Sequence, residues 1–399
     1  MSPAILADSH SLRSQESYRR PVLIGFGILL GAVLVTRLGF EAHRLMFDPR
    51  GPVDLLLLRE LIRDWFADVP VYVDGRGAVH PPASFLLLWP LYGWVPRGLD
   101  RWFFVLVTAA VTAAMVAILL REARPAGRAG RLLIAALVAG CYPAAISFGN
   151  GQMTMHLLLA AIVAVLVALR EPPTLRRDLA LGALSLFALV KPNLTVPFFW
   201  VIAFRPGWTR PVAFALLGYL AASAVSIALH GTGLEAVRAL VEAWYRKGEA
   251  GFAFSGYANL HTWLGDIGLR SWILPASGAV FALHGLWAWR HRGADPWIAI
   301  GVAAIVARLW AYHQVYDDLL LIFPLIALYR LAGGSEHSRG AAILFALSAV
   351  MLAAPITPVV ERAAWALVAL WLAQLVFLAA HAREPSRSRS AGLVSAERG

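Results

Sequence analysis

Long apolar runs, separated by short segments rich in arginine, occupy most of the chain. They fall near residues 22–40, 101–120, 132–147, 154–169, 179–190, 194–204, 211–229, 272–289, 295–309, 317–331, 341–354 and 361–380. A helix needs ~20 predominantly apolar residues to cross a bilayer. Repeated runs of this kind predict an all-α, polytopic integral membrane protein with about twelve transmembrane helices. The runs flanking Lys191 are short, which predicts broken or re-entrant helices at that point.

Between the first and second runs lies a stretch of different character, residues 41–100. Its Val53–Phe66 segment sets apolar residues at helical spacing around Arg59, Glu60, Arg63 and Asp64. That pattern predicts an amphipathic helix on the membrane surface, with its charges on the wet face. After His80-Pro81-Pro82, residues 83–95 are apolar, but Pro90 interrupts them and they are too short to cross. They read as a half-inserted or juxtamembrane helix. Residues 1–20 and 382–399 read as cytoplasmic tails, and 21–381 as one transmembrane domain whose 41–100 loop is extracytoplasmic.

Composition agrees with this reading. Of 399 residues, 59% are hydrophobic and 15% charged, with a mean hydropathy of +0.66, whereas a soluble domain has about 25% charged residues. The first apolar run begins at Pro21, is long enough to span, and lacks a small-residue cleavage site, so no cleavable signal peptide is expected. The single cysteine, Cys141, excludes a disulfide framework and a cysteine metal site.

The net charge of +11 raises the question of nucleic acid. Its distribution answers it. With the N-terminus inside and 83–95 not crossing, the cytoplasmic segments hold 20 of the 35 basic residues and nine of the 24 acids. The whole net charge therefore lies inside, as the positive-inside rule requires. Basic residues here set topology, and no nucleic-acid partner is implied.

The same topology gathers the unusual polar residues outside. Asp54 lies in the first outer loop, and Asn150 and Gln152 in the next turn. Lys191-Pro192-Asn193, then Asn259 and His261, then the turn from Arg308 to Asp318 follow. A carboxylate can take a proton from an attacking hydroxyl, while lysine and histidine can hold a phosphate leaving group. Each residue also has a plainer reading. Asp68 and Asp74 read as solvated, Asn150 as a cap for the helix starting near Met153, and Asp317-Asp318 as partners for Arg308. The tryptophans at 89, 94, 102, 200, 208, 244, 263, 272 and 310 read as interfacial anchors. Phosphate-cradling glycine loops, HExxH and a soluble dinucleotide fingerprint are absent, so an activated donor embedded in the membrane fits better than a nucleotide sugar or ATP.

The order of these features is an outer-loop aspartate, a PP dipeptide before an apolar helix, G-x-G-Q opening a helix, a K-P, and a W-x-x-H turn before a span. It resembles glycosyltransferase family 87, the polyprenol-phosphate-mannose-dependent mannosyltransferases of the GT-C fold, over roughly residues 20–380. The resemblance implies that Asp54 is the general base on the acceptor hydroxyl and that Gln152 lines the site. It implies Lys191 and His313 at the donor phosphate, with Asn259 as a loop asparagine of the site. Gln314 stands where the family has a second histidine, followed by Asp317-Asp318, which leaves the donor sugar open between mannose and arabinofuranose.

The expected reaction is an inverting sugar transfer at the outer face of the plasma (inner) membrane, from a polyprenyl-phosphate sugar to a lipid or glycan acceptor. No cofactor is implied, because the leaving phosphate is already charged; a metal-assisted variant would use Asp54 and Asp317. Two other classes compete. A transporter or flippase predicts related halves and polar residues near the midplane, but the halves show no repeat and the polar cluster is one-sided. A glycan polymerase or ligase needs a large late outer loop, and the late loops are short.

Overall fold

The computed structural model describes residues 31–73, 76–231, 233–250, 259–333, 338–353 and 357–382. Among them every element is helical and no strand occurs. Asp74, both tails and the first part of the first apolar run lie outside the described residues.

The chain enters on α1 (31–47) and continues through α2 (Val53–Phe66) and α3 (Pro82–Leu88), which ends in a π turn at Trp89–Gly93. α4 (Asp100–Ala123), α5 (Gly127–Gly140) and α6 (Tyr142–Asn150) follow, then α7 (Thr154–Arg170), α8 (Leu175–Ala188) and α9 (Pro192–Ala203). Next come α10 (Thr209–His230), α11 (Glu235–Ala250), α12 (Leu260–Asp266), α13 (Ile273–Arg290) and α14 (Pro296–Trp310). A 3₁₀ turn, Val315–Leu321, leads into α15 (Ile322–Ala332), and α16 (Ser338–Ala353) and α17 (Thr357–His381) close the chain.

Among the described residues the apolar runs fall in helices. Three helices are long and apolar enough to cross a membrane: α4, the α5–α6 run Gly127–Asn150 bent at Cys141, and α10. α7, α9, α14, α16 and the Trp365–His381 part of α17 are apolar but shorter. α8 and α9 break at residues 189–191, as the short runs flanking Lys191 predict. At 12 residues, α9 is about 18 Å long.

Burial divides the helices into two kinds. α7, α14 and α15 are enclosed on nearly all sides, so they form the centre of the bundle. α4 and α10 leave most of their apolar surface uncovered, with Leu106, Leu217, Leu220 and Leu229 exposed. An all-round apolar helix with one free side is what a lipid-facing position requires.

The 41–100 region differs from its expectation in one respect. α2 is amphipathic, but its apolar face of Leu55, Leu58, Leu61, Ile62 and Trp65 packs into the protein core instead of facing outward. Arg59, expected on the wet face, is buried. It pairs with Asp100 at the start of α4 and donates to the Val95 carbonyl. Glu60 is exposed and Asp64 pairs with Arg76. Trp65 Nε1 donates to the Ser226 carbonyl at 3.1 Å, which ties α2 to α10. α3 is pinned between α10 and the loop before α9, because Ser226 Oγ donates to Pro82 O at 2.6 Å and Ser84 Oγ donates to Val190 O at 2.7 Å.

Candidate active site

α2 begins at Val53, so Asp54 sits in its first turn, where the helix dipole favours a carboxylate. The turn after α6 meets it. Gly151 adopts the left-handed conformation (φ 75°) that ends α6, and a Cβ there would collide with Leu55. A glycine is therefore required for the Asn150-Gly151-Gln152 turn to approach α2. The Gln152 and Asn150 amides and the Lys191 ammonium all favour the ionised form of the Asp54 carboxyl. Burial nonetheless dominates and raises the Asp54 pKa, against the lowering by Gln152, Lys191 and Asn150.

Asn150 is thus not a cap for α7. No side chain caps that helix at Met153, and Asn150 Oδ1 instead accepts from Arg44 of α1. With its oxygen committed to arginine, the amide nitrogen is the group left to donate to Asp54.

Lys191 precedes α9 and its Nζ lies 2.6 Å from Asp317 Oδ1 and 4.9 Å from the Tyr316 ring centroid. Asp317 is almost fully buried and acts as a hub. Its Oδ1 also accepts from Thr154 Oγ1 at 3.1 Å, at the start of α7. Its Oδ2 accepts from the Gln314 amide at 3.1 Å and from His313 Nδ1 at 3.2 Å. One carboxylate therefore joins the beginnings of α7 and α9 to the turn before α15. Asp318 points elsewhere, to Arg308 and the Tyr142 hydroxyl, so the expected arginine pairing holds for Asp318 while Asp317 takes the lysine.

His313 is wholly enclosed behind Asp317, and burial pushes its imidazole toward the neutral form. Asn259 is equally enclosed. It caps α12, accepting from the Thr262 amide at 3.0 Å and its hydroxyl at 3.1 Å. That cap orients α12 so that His261 meets Ser277 Oγ at 2.7 Å and accepts from the Tyr312 amide at 3.2 Å. Asn193 Nδ2 donates to the Tyr312 carbonyl at 2.7 Å, and Trp310 Nε1 donates to the Asn193 carbonyl at 2.8 Å, so the W-x-x-H turn is fastened to the start of α9.

These elements surround a cavity of about 660 Å³. Asp54, Gln152 and Lys191 line it, whereas Asp317, His313 and Asn259 stand behind the lining and hold it. The lining combines apolar side chains, among them Leu57, Leu61, Leu88 and Leu157, with polar ones, among them Asn193, Tyr312, Gln314 and Tyr316. An amphiphile with a charged head would be matched by such a mixed lining.

Several lining residues carry no functional expectation from the sequence. His80 reads there as the start of a short helix, yet its side chain lines the cavity. Trp244 and Trp310, expected as interfacial anchors, also line it, while Trp89, Trp94, Trp102, Trp208 and Trp272 are exposed as anchors would be. Asp68 is exposed, in keeping with a solvated acid, and lies 3.6 Å from His230 Nδ1. Among the described residues no group of histidine, cysteine and carboxylates has metal-ligand spacing.

Comparison with known proteins adds one finding. The family model for glycosyltransferase family 87 matches residues 78–323, well over half of the chain. Gln152, Lys191, Asn259, His313 and Asp317 fall inside that match and Asp54 precedes it. No curated protein and no solved structure matches the chain.

Proposed function

The chain belongs to glycosyltransferase family 87, and from that membership we propose its reaction. It is a membrane enzyme that transfers sugars; the family assignment decides this class against a transporter. The donor is a polyprenyl-phosphate sugar, with mannose the first candidate. The acceptor is a hydroxyl of a lipid or glycan, and the site opens at the extracytoplasmic face of the plasma membrane, in a bundle of about twelve spans.

One observation carries the reading. A half-buried carboxylate with a raised pKa and a lysine line the same cavity, together with several leucines. Asp54 accepts the proton of the acceptor hydroxyl as its oxygen attacks the anomeric carbon. The bond from that carbon to the phosphate oxygen breaks, and its electron pair leaves with polyprenyl phosphate. Burial strengthens Asp54 as a base, and Gln152 and Asn150 aim it. Lys191, fixed by Asp317, faces the phosphate, where negative charge grows during departure. His313 positions Asp317 from behind. The leucines of the lining receive the first isoprene units.

The experiment is donor use by the purified full chain in nanodiscs, with a membrane lipid and glycan extract as acceptor. Labelled sugar should pass to acceptor from polyprenyl-phosphate mannose, with release of polyprenyl phosphate. Transfer from GDP-mannose alone, or from neither donor, would overturn the reading.

A further inference from the structure

His80 is held in place by its backbone and left free at its ring. The Tyr72 hydroxyl donates to the His80 carbonyl at 2.6 Å, and Trp244 Nε1 donates to the neighbouring Val79 carbonyl at 2.9 Å. Pro81 and Pro82 then lead directly into α3, so the backbone is clamped on both sides. Its imidazole, in contrast, has no hydrogen-bond partner among the described residues. Nδ1 is enclosed without a partner, and among the described residues Nε2 has none either, which leaves Nε2 as the nitrogen on the cavity side. The other two histidines of the site are engaged: His261 through both nitrogens and His313 through Nδ1.

A ring nitrogen that opens on a cavity without a protein partner is free to bond a ligand there. The charges that act on the ring are those of Lys191 and Asp317. Burial and then Lys191 push the His80 pKa down to about 4, so the ring is neutral at neutral pH and can donate one hydrogen bond. Lys191 itself is already shared with Asp317, whose charge would repel an incoming anion. A phosphate at Lys191 therefore needs a further donor that brings no additional desolvated charge.

We propose that His80 is a second anchor for the phosphate, donating to a phosphoryl oxygen through Nε2 beside Lys191. This rests on the polyprenyl-phosphate donor proposed above; the chemistry recognised is a phosphate ester.

The test is binding of farnesyl phosphate, farnesol and inorganic phosphate to the full chain in detergent, for wild type, H80F and H80Q. Farnesyl phosphate should bind wild type more tightly than farnesol or inorganic phosphate. H80F should weaken farnesyl phosphate about ten- to hundredfold and leave farnesol unchanged. In H80Q, the amide can donate from near the Nε2 position and should restore most of the loss, with all three proteins equally monodisperse. Equal affinity of H80F and wild type for farnesyl phosphate overturns the proposal and leaves the donor reading standing. Equal weakening of farnesyl phosphate and farnesol shows a merely structural role and also overturns it. If wild type fails to prefer farnesyl phosphate over farnesol, or binds inorganic phosphate as tightly, the donor reading falls and His80's role with it.

Discussion

α4 has a charged cluster at each end, ~33 Å apart by helix rise, and the two are built from the same residue types. At its start, Asp100 anchors Arg59 of α2, which carries Asp54 to the cavity beside Lys191 and Asp317. At its far end, Glu122 Oε2 accepts from Arg170 at 2.5 Å and Trp297 Nε1 at 3.1 Å. Arg330 there donates to the Glu122 carbonyl at 2.7 Å and to Asp295 at 3.2 Å. That cluster spends its hydrogen bonds on joining α4, α7, α14 and α15. The first cluster leaves Asp54, Lys191 and His80 with capacity directed into a cavity. Buried charge alone does not separate a working site from a structural clasp; unspent bonding capacity facing an empty volume does.

The comparison can be broken by exchanging consequences between the two ends. Asp54→Asn should lower kcat by about 10²–10⁴-fold, the usual contribution of a general base, with no change in thermal midpoint. Glu122→Gln should do the reverse, keeping kcat within about twofold while costing about 1–3 kcal/mol of stability. Transfer assays and thermal unfolding on the same preparations measure both. A Glu122→Gln enzyme that is stable but inactive would dissolve the distinction.

A smaller effect sharpens it within the first cluster. Lys191→Met should raise the donor KM about ten- to hundredfold and also destabilise the protein, since Asp317 loses its cation. Adding Asp317→Asn should recover stability but not donor affinity. Recovery of both would mean that Lys191 serves the fold alone.

The smallest effect is a pH shift. Asp54 must be ionised to accept a proton, so activity falls as pH drops through its pKa, which burial has raised. Gln152 favours the ionised form and pulls that pKa down, so Gln152→Leu should move the acid limb of kcat/KM to higher pH. A limb that stays in place would show that Gln152 does not act on the catalytic form.

Helix placement was legible in the sequence because apolar runs and their breaks at Pro and Lys191 are local signals. The Val53–Phe66 helix coincides with its periodic segment. What periodicity cannot tell is whether lipid or protein covers an apolar face, since both are apolar. Arg59 therefore read as wet when it is buried against Asp100. Asn150 read as a cap because capping is local, whereas its partners Arg44 and Asp54 come from α1 and α2. Trp310 lies at a run end like the anchors, and only tertiary packing places it and Trp244 at the cavity. His80 had no such signal; a histidine before two prolines looks the same whether its ring is paired or free.

The central claim is that Asp54 and Lys191 serve one lipid-phosphate substrate in one cavity. The most direct measurement is an experimental structure of the full chain with a prenyl phosphate bound. The account predicts a phosphoryl oxygen about 3 Å from Lys191 Nζ, with the first isoprene unit against Leu57 and Leu61 and Asp54 facing open space beside the phosphate. A prenyl phosphate seated with its phosphate outside this cavity, or with Lys191 still turned wholly to Asp317, would contradict it.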